Sequence, residues 1–199
     1  MAAYVDDDAN SASAVVYDVA AISAAPTGEI PGSAIIGFVQ ISAPRGAPCR
    51  GAWQVRAITG PGKIVYSLAY ALSPNGLVVP DRSNVSPQAS NAWAAYAAKA
   101  GPQNVLPLDD ADHPKKGTDP YHDAHHTADS SDDCYTSHEE EHLNAAYRGP
   151  GGEGALLDRL TSAHEELMKK LSAGGTKVAD LEGAILDAGY AKFDKVMGY

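Results

Sequence analysis

Gly60-Pro61-Gly62-Lys63 stands between a strand-like run, Ala52–Thr59, and a helix-like run that ends at Ser73. Two glycines and a lysine opening a helix are the residue types that hold a phosphate. Backbone N–H groups converge there, the helix dipole favours negative charge, and the lysine adds a cation. The competing reading is a plain turn, because a Gly-x-Gly after a strand often does no more than reverse the chain. Pro61 weakens the cradle by removing a donor N–H from its middle.

A second group lies further on. His122, His125, His126, Asp129, Asp132, Asp133 and Cys134 fall within thirteen positions, and imidazole, carboxylate and thiolate are ligands for Zn²⁺ and related cations. His138 and His142 are four apart, which on a helix would put both on one face. No paired-cysteine motif and no HExxH accompanies them, so the expectation is an acidic loop with no bound metal. Asp81-Arg82 follows a short strand and reads as a local pair positioning Ser86, in preference to a polar pair at a substrate cleft. Ser, His and Asp are all present, but no GxSxG supports a hydrolase triad.

Three β-branched runs must position these residues: Ser13–Ile22, Ser33–Ser42 and Ala52–Thr59, separated by "PTGEIPG" and "APRGAPC". Turn residues between alternating apolar runs predict a small antiparallel sheet in the first half. After Gly62 the spacing becomes helical, with Ile64, Leu68, Ala71 and Leu72 on one face, and Pro74-Asn75-Gly76 stops it. Gly76–Val79 is a short buried strand. Ser86 as N-cap, Pro87 at N1 and Gly101 at the end predict a helix over 87–100, and Trp53 and Trp93 read as core anchors. Leu108 to His142 lacks periodicity and reads as loop. Leu156, Leu160, Ala163, Leu167 and Leu171 then form the stripe of an amphipathic helix ended by Gly174-Gly175, and a shorter helix runs from about Val178 to Ala188, with Thr176 as its cap. The stripe needs a cover, which the domain or another subunit could supply.

The order strand, Gly60-Pro61-Gly62, helix, strand (Leu77–Val79), helix (Pro87–Ala100) resembles the core of the GNAT acyltransferase superfamily. In that family a strand runs into a Gln/Arg-x-x-Gly-x-Gly/Ala loop whose amides hold the pyrophosphate of acetyl-CoA. The resemblance implies an α+β fold, a twisted mixed sheet with packed helices, and acetyl-CoA as cofactor. It puts Gly60, Gly62 and Lys63 on the cofactor phosphates and makes Tyr96 the general acid for the leaving thiolate. "PCRGAWQV", "GLVVPDRSNVSPQASNAW", "LPLDD", "DDC" and "LNAAY" are further similar to a group of phage-encoded GNAT-like proteins, over roughly Pro48 to Tyr147. That similarity implies a phage component, inside or on the virion, with other phage structural proteins or further copies of itself as partners.

The pattern departs from the family in places. Arg56 lies one residue early for the Gln/Arg position, which Ala57 fills, and Tyr96 is near but not at the family's spacing. The N-terminal sheet has no room for the two helices the family places after its first strand, and no general base is evident. Two functions therefore stay open: a virion-associated protein with a degenerate acyl-CoA site, and an active acetyl-CoA-dependent N-acetyltransferase. The expected organisation is an α/β core over 1–107, an acidic His/Asp-rich segment over 108–150 and a helical segment over 151–199.

Composition narrows the field. With 199 residues, 44% of them hydrophobic, the chain can bury a core, and 7% aromatic content leaves packing to small side chains. A net charge of −10 and only two Lys-Lys pairs disfavour direct nucleic-acid binding. No apolar run reaches the roughly 20 residues of a membrane span. The acidic start "MAAYVDDDANSAS" is unlike a signal peptide, so synthesis in the (host) cytoplasm without a cleaved signal is expected. Cys49 and Cys134 make no disulfide scaffold; they are expected to begin as thiols, and the sequence leaves their final redox state open.

Overall fold

The computed structural model describes residues 1–25, 30–44, 46–81, 85–110, 129–134 and 140–197. Nine strands and five helices lie among them: β1 (Ala2–Asp7), β2 (Ser11–Tyr17), α1 (Val19–Ser23), β3 (Ile35–Ser42), β4 (Trp53–Thr59), α2 (Gly62–Leu72), β5 (Leu77–Val79), α3 (Pro87–Ala100), β6 (Val105–Pro107), β7 (Asp109–Asp110), β8 (Asp133–Cys134), β9 (Ala145–Arg148), α4 (Glu153–Ala173) and α5 (Val178–Met197). The fold is α+β. Seven strands form one sheet in the order β1-β2-β3-β4-β5-β9-β6, and β7 pairs with β8 separately. β4 and β5 run parallel, whereas β9 is antiparallel to both β5 and β6, so the sheet is mixed.

These residues divide between two compact units. The first comprises 1–40, 57–72 and 151–199, the second 41–56 and 73–150.

In the first unit β1 and β2 form a hairpin, with Ala2 opposite Tyr17 and Asp7 opposite Ala12. Asp8 closes it, its Oδ1 accepting from the amides of Asn10 (2.6 Å) and Ser11 (2.8 Å). These bonds hold its carboxyl below the usual carboxylate range. The acidic start is therefore a strand, which its charges had hidden. The run 13–22 does not stay extended. Asp18 accepts from the amides of Ala20 (2.8 Å) and Ala21 (3.1 Å), caps α1 and turns the chain into a helix.

The core of this unit joins Val15, Tyr17, Phe38 and Ala57 to Leu167, Met168, Leu181 and Ile185. Much of the leucine stripe of α4 is thus covered by the chain itself, with Leu167 buried and Ala163 and Leu171 packed at the margin. α5 extends past the expected end at Ala188. It lies so close to the sheet at Gly189 that a Cβ there would be 2.8 Å from Val15 and 3.0 Å from Phe38. Within this core, Tyr17 Oη lies 2.8 Å from His164 Nδ1, and His164 Nε2 lies 3.0 Å from Glu182 Oε1.

The second unit packs Leu77, Val79, Leu108 and Ala146 around Cys49 and Cys134, which form a disulfide. The redox state that the sequence leaves open is thus a bonded pair: the turn at 49–51 and β8 bring residues 85 positions apart into bonding distance. Arg50 (φ 54°) fastens the same turn, donating from Nε to the Pro107 carbonyl (3.1 Å) and pairing with Asp132 (2.7 Å) and Asp129 (3.7 Å). The expectation of loop from 108 to 142 gives way to β7, β8 and a 3-10 turn at 141–143 among the described residues. Trp93 is buried and stacks on Tyr147 at 4.9 Å, whereas Trp53 stays partly exposed and is no core anchor.

Candidate functional site

The glycine loop belongs to the first unit. Gly60 has φ +116°, and a Cβ built on it would lie 2.6 Å from Gly37 Cα and 2.7 Å from the Ile36 carbonyl oxygen. Only glycine fits, because backbone from β3 occupies the space a side chain would take. Pro61 starts α2, its carbonyl accepting from the amides of Ile64 (2.9 Å) and Val65 (3.2 Å). Gly62 is open: a Cβ there would meet nothing nearer than the Tyr66 ring at 3.8 Å. Lys63 is exposed, and burial pushes the Tyr66 hydroxyl up to about 12.

Tyr96 lies in the second unit. Its hydroxyl donates to the Arg148 carbonyl, and its ring meets Tyr147 edge-on at 5.5 Å. The proton assigned to a leaving thiolate is thus directed at β9. Of the residues named by the sequence, Gly60, Gly62 and Lys63 come together, and Tyr96 falls in the other unit.

A cavity of about 310 Å³ opens in the second unit, bounded by Ala97, Val105, Pro107, His142, Asn144, Ala145 and Tyr147. His142 Nε2 lies 2.8 Å from Ser90 Oγ and 3.2 Å from Glu140 Oε2, and Ser90 also contacts Glu140. Tyr147 donates to the His142 carbonyl and so fixes the 3-10 turn that carries the imidazole. Burial, with Tyr96 beside it, raises the Tyr147 hydroxyl well above its ordinary value. No sequence signal joined these residues. Ser90 sits inside a helix pattern, and its partner His142 is 52 residues away.

The acidic residues carry other bonds. Carboxylate oxygens of Asp109, Asp132 and Asp133 lie within 4.8 Å of one another, but Asp132 already pairs with Arg50. Asp129 accepts from Ser131, which lowers its carboxyl, with Arg50 adding to the effect. Cys134 offers no thiolate because it is in the disulfide. His122, His125, His126, His138 and Arg82 lie outside the described residues. No helix among the described residues is long and apolar enough to cross a membrane.

No family model, curated protein or solved structure matches this chain.

Proposed function

We propose that the chain is a GNAT-like protein of phage type whose acyl-CoA site is degenerate. It serves as a virion-associated structural or internal component, with other phage structural proteins or copies of itself as partners. The parallel β4 and β5, joined through the glycine turn and α2, support the GNAT-like reading. The degenerate site rests on Gly60: in an anion cradle a glycine lets a ligand approach, and here Gly37 and Ile36 take up that approach. The commitment of the Tyr96 hydroxyl to Arg148 argues the same way. A buried disulfide suits a protein that ends its life outside a reducing cytoplasm, as a released particle does.

One observation favours the second reading, an active acetyl-CoA-dependent N-acetyltransferase. Gly62 and Lys63 open a helix of 11 residues with free space over Gly62, and such a terminus attracts phosphate. Release of the coenzyme thiol from acetyl-CoA, measured against a panel of primary amines, separates the two. The degenerate site predicts no release above buffer. Turnover that Tyr96→Phe abolishes would establish the enzyme.

A further inference from the structure

Trp93 and Ala97 stand one turn apart on α3 and lie over the same part of the sheet, but they fill it unequally. In the β6–β9 pair Val105 is opposite Tyr147 and Pro107 is opposite Ala145, so these four side chains share a face. Trp93 stacks on Tyr147 at 4.9 Å, which puts α3 over that face. One turn later the helix offers only a methyl group, and the space left beside it is the cavity of about 310 Å³. Protein interiors leave few gaps larger than a water molecule, and an apolar-walled gap of this size is the usual form of a small-ligand site. Its frame is fixed. The Asn144 carbonyl accepts from the Leu108 amide at 3.0 Å, and the Tyr147 hydroxyl donates to the His142 carbonyl. The site is therefore formed before anything enters it.

We propose that this cavity binds a small, neutral, single-ring aromatic molecule carrying one hydrogen-bond donor, a phenol being the simplest case. Each part of that description follows from a wall. Ala97, Val105, Pro107 and Ala145 are apolar, and the Tyr147 ring beside them suits a second ring. A volume of about 310 Å³ is at the small end of ligand sites, enough for one ring and its substituents. No described residue lining the cavity carries a carboxylate or an always-charged cation, so an ion entering it loses its water and gains no partner. Glu140, in contact with His142, adds repulsion for an anion. The donor is matched to His142. Ser90 donates to Glu140, and His142 Nε2 faces the same carboxylate at 3.2 Å, so that nitrogen carries a proton. In the neutral ring Nδ1 then keeps a lone pair that no described residue uses, and it accepts from the O–H or N–H of the ligand. Binding here makes no use of Gly60, Gly62 or Lys63, so it is independent of the glycine loop.

The test follows p-fluorophenol by fluorine NMR with the full-length protein at about pH 8, where an ordinary imidazole is neutral. Saturable binding is expected at one molecule per chain, and Overhauser contacts in proton spectra should join its ring to the methyl groups of Ala97 and Val105. Fluorobenzene, which has no donor, should bind roughly fivefold more weakly, and p-fluorobenzoate not at all. His142→Phe should bring p-fluorophenol down to the level of fluorobenzene. Ala97→Leu fills the gap and should abolish the binding of both, whereas Ala98→Leu, at an exposed position of the same turn, should leave it unchanged. No saturable binding to wild type, Overhauser contacts to other residues only, equal binding of p-fluorobenzoate, or unchanged binding in Ala97→Leu overturns the proposal. Because the contacts are mapped on wild-type protein, a variant that folds poorly does not obscure the answer.

Discussion

Tyr17, His164 and Glu182 make a chain of polar contacts inside an otherwise apolar core, and the stability at stake there can be worked out. Tyr17 is fully buried, and His164 is 8% exposed. Removing the imidazole with His164→Ala takes away the 2.8 Å partner of the Tyr17 hydroxyl and leaves that oxygen buried without one, a loss of about 1–3 kcal/mol. Ring packing against Tyr4 (5.3 Å) and Tyr17 (6.1 Å) goes too, at about 2 kcal/mol or more. The variant should thus be about 3–5 kcal/mol less stable. Tyr17→Phe removes the hydroxyl alone and should cost about 1–1.5 kcal/mol. The pair matters more than either value. In the Tyr17→Phe background, His164→Ala orphans nothing on that side, so the double variant should fall short of the sum by about 1–2 kcal/mol. Urea unfolding of the four proteins, followed by circular dichroism, measures the cycle. Additivity within about 0.3 kcal/mol would refute the idea that this hydrogen bond is a coupled element of the core.

Three further outcomes follow from local geometry. Gly60→Ala must place a methyl group against Gly37 and Ile36 at positive φ, and should lower stability by roughly 2–5 kcal/mol, read as a fall in Tm; an unchanged Tm would mean that the approach of the loop to β3 is wrong. Cys49→Ser with Cys134→Ser opens a loop of 85 positions and should cost up to about 4–5 kcal/mol by chain entropy. Native protein should carry no thiol titratable by Ellman's reagent after unfolding without reductant, and two free thiols would contradict the bond. Asp8 has a folded-state pKa depressed by its turn hydrogen bonds, so its contribution is present above the unfolded value and lost as pH falls through the folded one; a carboxyl NMR titration should place its midpoint below that of a free aspartate, and Asp8→Ala should remove the pH dependence it carries.

Local signals were legible where one residue decides one bond. Ser86 accepts from the Ala89 amide at 3.2 Å, Pro87 opens α3 and Gly101 follows it, all as their chemistry dictates. The change from strand to helix at Gly62 was equally plain, since periodicity alone carries it. β1 is faintly marked in the sequence because it runs into a row of aspartates and its buried residues are two alanines, and small side chains give a weak apolar pattern. The Asp18 cap, two residues before an alanine run, was the available clue that β2 ends early. The disulfide and the Ser90–His142 contact are long-range. Nothing at Cys49 or Ser90 announces a partner 85 or 52 positions away, and only the folded chain supplies it.

The proposal that the acyl-CoA site is degenerate is tested most directly by the melting temperature of the protein with and without millimolar acetyl-CoA. A ligand held at a hundred times its dissociation constant adds about 2.7 kcal/mol to stability, which for a chain of this length raises Tm by roughly 5–10 °C. With Gly60 packed on Gly37, no shift is predicted, for wild type or for Gly62→Glu. A dose-dependent rise of several degrees that Gly62→Glu abolishes would contradict the account and restore a working cradle at Gly60, Gly62 and Lys63.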